Sequence, residues 1–176
     1  NELPFKATSV PEARPLIAPD QSQVVFSELG ERPTAYVMPA NGGLAQEVCA
    51  GQIIWSWSAD SRGIIIEPLG EVAATGRTVF YLLDLSTRRR ITLLNSSLGV
   101  FQPSFSVDNR WIAFGATRPP FSTSVLFIAP YRSGSVAAEN DWISVADDSA
   151  WVDKPRWSPD GNLLYFVSQR DGFVCL

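Results

Sequence analysis

The sequence predicts an all-β protein built from four-stranded antiparallel sheets. Its apolar residues, 45% of the 176-residue chain, fall in short runs bounded by glycine, proline, asparagine, aspartate and serine. Helical periodicity is weak, and the segment GEVAATG at 70–76 is too short to predict a stable helix. One segment recurs four times without a gap, as PLIAPDQSQVVF (15–26), WSWSADSRGIII (55–66), PSFSVDNRWIAF (103–114) and PRWSPDGNLLYF (155–166).

The spacing of these copies predicts a β-propeller. Their shared aspartate falls at Asp20, Asp60, Asp108 and Asp160, so successive copies lie 40, 48 and 52 residues apart. This is the period of a four-stranded propeller blade with loops of varying length. The prediction is one propeller segment over 1–176, with three complete blades at about 12–50, 51–98 and 99–150 and a partial fourth at about 151–176.

Each copy begins with a short strand and a tight turn. The aspartate in the turn can accept hydrogen bonds from nearby backbone N–H groups. Gly161 and Asn109 tolerate the left-handed backbone that such a turn needs. Gln21 and Ser61 tolerate it less well, which predicts a different geometry for the first two turns. The predicted structural turn motif comprises Asp20, Asp60, Asp108, Asp160 and Gly161.

Three further strands follow the turn in each unit. The second strand is an apolar run such as Ile64–Ile66, and apolar residues on both faces predict a strand packed between two other sheets. Together the strands make each unit an antiparallel meander. The third strand is predicted in TAYVMPANGG (34–43), TVFYLLDLSTR (78–88) and SVLFIAPYRSG (124–134), and the fourth in AQEVCAG (45–51), RITLLNS (90–96) and DWISVAD (141–147).

Composition and charge argue against several classes of function. The net charge is −4 and the one basic cluster is Arg88–Arg90, which argues against nucleic-acid binding. The chain has no histidine, which excludes Ser-His-Asp and Cys-His nucleophilic schemes, and it has no metal-ligand motif. We therefore expect no cofactor and no enzymatic activity within the chain. Direct membrane insertion is not expected, because no apolar run approaches the roughly 20 residues needed to cross a bilayer.

The two cysteines, Cys49 and Cys175, lie far apart in the sequence. They could form a disulfide only if the fold brought their strands together. Two unpaired, buried thiols are the favoured interpretation.

The last copy has a recognisable pattern: Trp157–Gly161, then Leu164–Phe166, then Ser168–Gly172. This pattern resembles the WD-repeat-like repeat of TolB-like bacterial β-propellers, P-x-W-S-P-D-G-x-x-I-x-F-x-S-x-R-x-G. The other copies match it in part, and the likeness runs from about residue 15 to the end. The resemblance implies a propeller that occurs in periplasmic proteins, in sensor domains and as the non-catalytic cap of prolyl-oligopeptidase-like peptidases. The motif residues look structural in that family, so the resemblance implies no catalytic residue here.

These observations predict a non-enzymatic propeller module for protein–protein or ligand binding, within a larger bacterial envelope or sensor protein. Its expected partner is a protein or peptide. The expected location is periplasmic or otherwise extracytoplasmic, with the cytoplasm as the alternative. The alternative function is the non-catalytic propeller portion of a hydrolase, either a prolyl-oligopeptidase-like peptidase or a polysaccharide lyase. An α/β-hydrolase domain in the flanking gene would favour the peptidase.

The innermost strand of each blade is expected to line the central channel of the propeller. Side chains alternate along a strand, so every second residue faces the same way. This alternation predicts two groups, with Leu16, Ser56, Ser104 and Arg156 on one side and Trp55 and Trp157 on the other.

Arg156, Lys154 and Trp55 are the candidate binding residues of the channel. Arg156 with Lys154 could bind a carboxylate or an anionic peptide end. The alternative interpretation is a surface cation paired with Asp153 or Asp160.

The loop at 116–124 offers a second candidate surface. Its residues Arg118 and Phe121 could form an exposed cationic and aromatic patch. The alternative is a proline-stiffened turn with Phe121 packed into the sheet.

Three and a half blades do not usually close a ring. Open blade faces rich in valine, isoleucine, phenylalanine and tryptophan would exceed the apolar patch that a soluble monomer tolerates. We therefore expect either that the chain is part of a longer propeller or that a homodimer completes the ring.

Overall fold

The computed structural model describes residues 12–117, 123–132, 134–147 and 150–170. Within these ranges the strands form antiparallel sheets in which neighbours along the chain pair with one another. The predicted all-β fold with four-stranded antiparallel units is confirmed.

The first two sheets are four-stranded meanders. Sheet 1 consists of β1 (Glu12–Ile17), β2 (Gln23–Glu28), β3 (Thr34–Pro39) and β4 (Gln46–Ala50), paired in that order. Sheet 2 consists of β5 (Gln52–Trp57), β6 (Gly63–Pro68), β7 (Thr78–Asp84) and β8 (Arg90–Ser96), with helix α1 (Glu71–Thr75) between β6 and β7.

The third sheet carries an additional short strand. Sheet 3 consists of β9 (Gly99–Phe105), β10 (Trp111–Thr117), β11 (Ser124–Arg132) and β13 (Ile143–Asp147), and β12 (Ser135–Val136) also pairs with β11. A 3-10 helix, Glu139–Asp141, lies before β13. Sheet 4, in the described residues, consists of β14 (Val152–Trp157) paired with β15 (Leu164–Ser168).

Helix α1 corrects the expectation that residues 70–76 form no helix. Gly70 and Gly76 take left-handed backbones at its two ends, with φ of 82° and 67°. The Thr75 hydroxyl donates to the Glu71 carbonyl, and the Tyr81 hydroxyl donates to the Glu71 carboxylate over 3.0 Å. A single turn that is unstable alone is thus held by its caps and by a contact to β7.

The second strands form the core because they lie between neighbouring sheets. Ile64 and Ile66 of β6 pack in a cluster with Val25 of sheet 1, whereas Ile65 packs with Ile112 of sheet 3. All three isoleucines of β6 are fully buried. Alternation along one strand therefore joins three sheets into a continuous stack.

All four aspartate turns share one backbone geometry, so the expectation that the first two would differ is wrong. Gln21, Ser61, Asn109 and Gly161 all have left-handed φ angles, of 61°, 60°, 56° and 72°. Contacts between sheets support the second and third of these turns. Ser61 Oγ accepts a hydrogen bond from the Asp20 backbone N–H (3.0 Å), and Asn109 Oδ1 accepts one from Ala59 N–H (2.8 Å).

A buried serine stabilises three of these turns. Ser106 Oγ donates to Asp108 Oδ1 (2.6 Å) and accepts from the Trp111 N–H (2.9 Å), and Ser58 and Ser158 make the same pair of contacts. The hydrogen bond from Ser106 is the largest cause of the lowered pKa of Asp108. The first turn has alanine at this position, and the hydroxyl of Ser22 donates to Asp20 instead (2.7 Å).

We expect Ser106→Ala to lower the free energy of unfolding by about 1–3 kcal/mol, because it removes a partner from a backbone N–H and from a carboxylate. Urea denaturation followed by circular dichroism measures the change. Arg110 stands two residues after Asp108, as Ser22 stands two residues after Asp20. Adding Arg110→Ser would therefore give Asp108 a hydroxyl donor like that of Ser22, and we expect it to recover part of the lost free energy of unfolding. A loss for Ser106→Ala below about 0.5 kcal/mol would contradict this role of the serine.

Candidate binding site

The first strands of the four sheets converge. β1 contacts β5, β5 contacts β9, and β9 contacts β14. A cleft of about 280 Å³, which we call the inner cleft, opens at this convergence. It extends to the aspartate turns, because Pro19, Ala59, Ser106 and Val107 line it as well. The inner-strand residues that line it are Leu16, Ile17, Trp55, Ser56, Trp57, Ser104, Phe105, Arg156 and Trp157.

A bulge interrupts each first strand, and the strict alternation expected along it does not hold. A bulge adds a residue to one strand of a pair and re-aims the side chains beyond it. Residues of both predicted groups line the inner cleft. The register with the second strand shifts between Ala13 and Leu16, between Ile54 and Ser56, between Phe101 and Ser104, and between Asp153 and Arg156.

Three of these bulges contain a left-handed residue directly before a proline. Arg14, Gln102 and Lys154 have φ of 57°, 54° and 54°. Such a backbone costs on the order of 1 kcal/mol or more in a residue other than glycine. Contacts between sheets support it, since the Lys154 N–H donates to Gln102 Oε1 over 2.6 Å.

Trp55 forms a fixed aromatic wall of the inner cleft. Its indole N–H donates to Glu67 Oε2 over 2.8 Å, and the Arg14 guanidinium lies 4.4 Å from the ring centroid. Phe80 packs edge-on against the same ring. Burial raises the pKa of Glu67, while the hydrogen bond from Trp55 and the charge of Arg14 oppose that shift. Trp55 is therefore held from several sides.

Arg156 brings a positive charge to the inner cleft without a carboxylate partner among the described residues. Its guanidinium donates to its neighbour's carbonyl, Pro155 O, over 2.9 Å. Asp160 is occupied by Ser158 and Asn162, so the structure does not show the ion pair considered from the sequence. Desolvation first, and the like charge of Arg14 second, lower the pKa of Arg156. A bound anion would offset both effects, because an opposite charge favours the charged guanidinium.

The other predicted site residues are less central. Lys154 is exposed and sits on a bulge, two residues before Arg156, but it does not line the inner cleft. Arg118 and Phe121 lie outside the described residues. Sequence reasoning missed Arg14 and Gln102, although each precedes a proline at the same repeat position as Lys154. This shared position before a proline could have identified both residues from the sequence.

Cysteine, metal and membrane features add little to this site. Cys49 is a free thiol, and burial raises its pKa to about 11, while Cys175 lies outside the described residues. In the part of the chain that the structure describes, no cluster of three histidine, cysteine, aspartate or glutamate side chains could hold a metal ion. Within the same ranges, no helix has the length and apolar character needed to span a bilayer.

No protein-family model matches the sequence, and no curated protein sequence matches it either. Solved structures do match. TolB from Acinetobacter baumannii superposes with a TM-score of 0.76 at 18% identity, covering 96% of this chain and 40% of that chain. A putative TolB from Agrobacterium tumefaciens superposes with a TM-score of 0.70 at 21% identity, covering 86% and 52%.

Peptidase propellers are also similar. The β-propeller domain of the Trilobed protease from Pyrococcus furiosus gives a TM-score of 0.59 at 12% identity, covering 90% of this chain and 53% of that one. This chain therefore spans about half or less of the length of these structures. At such identities the likeness shows the fold alone. The fold of this chain is that of a TolB-like β-propeller.

Proposed function

We propose that this chain is part of a non-enzymatic β-propeller that binds a protein or peptide partner at the inner cleft. In this proposal the blades are residues 12–50, 51–98, 99–150 and the segment from 151, and the protein acts outside the cytoplasm of a bacterium. The observation that carries the proposal is that Arg156, a cation without a carboxylate partner among the described residues, lines the same cleft as the fixed ring of Trp55. A peptide's carboxylate and an adjacent aromatic or apolar side chain would complement that pair.

An array of short peptides tests the proposal, with each peptide made once with a free C-terminal carboxylate and once as the amide. We expect the protein to retain free-carboxylate peptides and to bind their amides more weakly. Fluorescence titration then gives affinities, because Trp55 and Trp157 both line the inner cleft.

Arg156→Gln should weaken binding of a retained peptide by about tenfold or more, which corresponds to the loss of one charge-assisted hydrogen bond. Arg89→Gln is the matched control, because Arg89 is exposed on the turn between β7 and β8. Equal binding of acids and amides, together with no effect of Arg156→Gln, would refute the proposed site.

The alternative function is the propeller portion of a hydrolase. A structural similarity to prolyl endopeptidases supports this alternative. One such structure superposes with a TM-score of 0.63 at 15% identity, and the match covers 93% of this chain and 25% of that one. Catalysis would then reside in another domain. A G-x-S-x-G motif within an α/β-hydrolase domain in the flanking coding sequence would support this alternative.

A further inference from the structure

The loop between β3 and β4 contains an asparagine followed directly by two glycines, Asn41, Gly42 and Gly43. The backbone nitrogen of a glycine reaches the side-chain amide of a preceding asparagine easily, because glycine has no Cβ to obstruct the approach. This is the one Asn-Gly pair of the 176-residue chain. Whether such a pair reacts depends on how firmly the fold holds its atoms.

The structure leaves both reacting groups of this pair accessible. Asn41 is exposed, and its carboxamide makes no hydrogen bond to another described residue. Gly42 and Gly43 are exposed and have positive φ angles of 96° and 137°, and a Cβ added to Gly42 would meet nothing within 4 Å. The Gly42 N–H donates to Pro39 O over 3.1 Å, so one ordinary hydrogen bond must open before its nitrogen can react.

The other described asparagines differ, because each is followed by a residue with a side chain. Asn140 belongs to the 3-10 helix. In the remaining three a hydrogen bond holds the amide, from Asn95 to Arg77, from Asn109 to Ala59 and from Asn162 to Asp160.

The pair Asp160-Gly161 could form the same five-membered ring, but its turn holds both groups. The Gly161 N–H donates to Ser158 O over 2.9 Å. The Asp160 carboxylate accepts hydrogen bonds from the Ser158 hydroxyl and from the backbone and side-chain N–H groups of Asn162. These bonds lower the pKa of Asp160, whereas its carboxyl must be protonated for water to leave. The third pair, Asp171-Gly172, lies outside the described residues.

We propose that Asn41 is a site of spontaneous covalent modification, at which the folded protein converts asparagine to aspartate and isoaspartate. The Gly42 nitrogen loses its proton to solvent base and attacks Cγ of Asn41. A ring C–N bond forms, the bond from Cγ to the side-chain nitrogen breaks, and that nitrogen takes up a proton and leaves as ammonia. Water then opens the succinimide at either carbonyl. Water is the only co-reactant, and nothing is oxidised or reduced.

The modification would change one end of sheet 1. The Ala40 N–H donates to Ser22 O over 2.9 Å, which joins this loop to the first aspartate turn. Each conversion adds one negative charge to a chain of net charge −4. Isoaspartate also inserts a methylene group into the main chain, so the hydrogen bond from Gly42 to Pro39 would be lost. The proposal rests on this loop and does not depend on the proposed function.

Peptide mapping by mass spectrometry tests the proposal after incubation of the protein in mildly alkaline buffer, with and without unfolding urea. Conversion of Asn41 raises the mass of its peptide by about 1 Da, and chromatography separates the isoaspartate product. We expect Asn41 in the native protein to react at least about tenfold faster than Asn109 or Asn162. Its native rate should lie within about tenfold of its rate in urea, the factor that corresponds to one ordinary hydrogen bond.

The fold should protect Asp160 more strongly than Asn41. We expect the ratio of the rate in urea to the native rate to be at least about tenfold larger for isoaspartate formation at Asp160. A native rate at Asn41 more than about a hundredfold below its rate in urea, or equal ratios at the two positions, would overturn the proposal.

Two variants give the second measurement, the gain of negative charge followed by ion-exchange chromatography. Asn41→Gln should abolish most of this gain in the native protein, because a glutamine would have to close a six-membered ring. Asn140→Gln is the matched control, since Asn140 is also exposed, and it should leave the rate of charge gain unchanged. An undiminished rate in Asn41→Gln would show that the reaction occurs elsewhere and would overturn the assignment to Asn41.

Discussion

Trp57→Ala is expected to lower the free energy of unfolding by about 3–5 kcal/mol, the range found when a buried large aromatic side chain is truncated. Trp57 is 5% exposed and belongs to the cluster between sheets 1 and 2, together with Ala18, Val25 and Ile64. Its indole N–H also donates to Leu16 O over 2.8 Å. The substitution would therefore remove packing and a direct hydrogen bond between two blades.

Trp57→Phe separates these two contributions. It keeps most of the ring but removes the N–H donor, so we expect a loss of about 1 kcal/mol from the hydrogen bond. The protein contains a precedent, because Phe105 occupies the equivalent position in sheet 3. Urea denaturation followed by far-ultraviolet circular dichroism measures both variants. If Trp57→Phe were as destabilising as Trp57→Ala, the hydrogen bond and not the packing would dominate.

Gly115→Ala is expected to destabilise the protein by about 1–3 kcal/mol through overpacking. The added Cβ would lie 2.4 Å from Cε2 and Cζ of Phe101, closer than real contacts allow. The Phe101 ring would have to turn away, which would break its stack on Trp151 and loosen the contact between sheets 3 and 4.

A double-mutant cycle with Phe101→Ala checks this cause. Once the ring is gone, Gly115→Ala should have a much smaller effect, giving a coupling energy of about 1 kcal/mol or more from chemical denaturation. Independent, additive effects of the two substitutions would show that the clash with Phe101 does not explain the destabilisation. Gly115 has no left-handed backbone, so conformational strain at the position is not a competing cause.

Local patterns were enough to predict the strands and the turns. Ile64, Ile65 and Ile66 predicted a strand buried on both faces, and the structure buries all three completely. A recurring aspartate, such as Asp160, predicted a turn, because its carboxylate and the residues around it act within a few positions of one another. These features depend on interactions between near neighbours, which the sequence displays directly.

Other expectations failed where a distant residue supplies the deciding contact. Ser61 adopts a left-handed backbone that its own propensity disfavours, and its hydroxyl bonds to Asp20 on the neighbouring sheet. Helix α1 forms in a segment that is too short to be stable alone, because the Tyr81 hydroxyl reaches Glu71. In both cases the interaction joins residues that are not near neighbours, and the local pattern carries no trace of it.

The sequence by itself determined the propeller architecture, since a repeat of turn and strand signals encodes the same local structure at each copy. It also showed that the chain has no histidine. Only the tertiary structure decided what the sites contain. It showed that Arg156 has no carboxylate partner among the described residues and that Arg156 and Trp55 line one cleft. Charge pairing and burial depend on which sheets pack together, and that packing joins residues far apart in the chain.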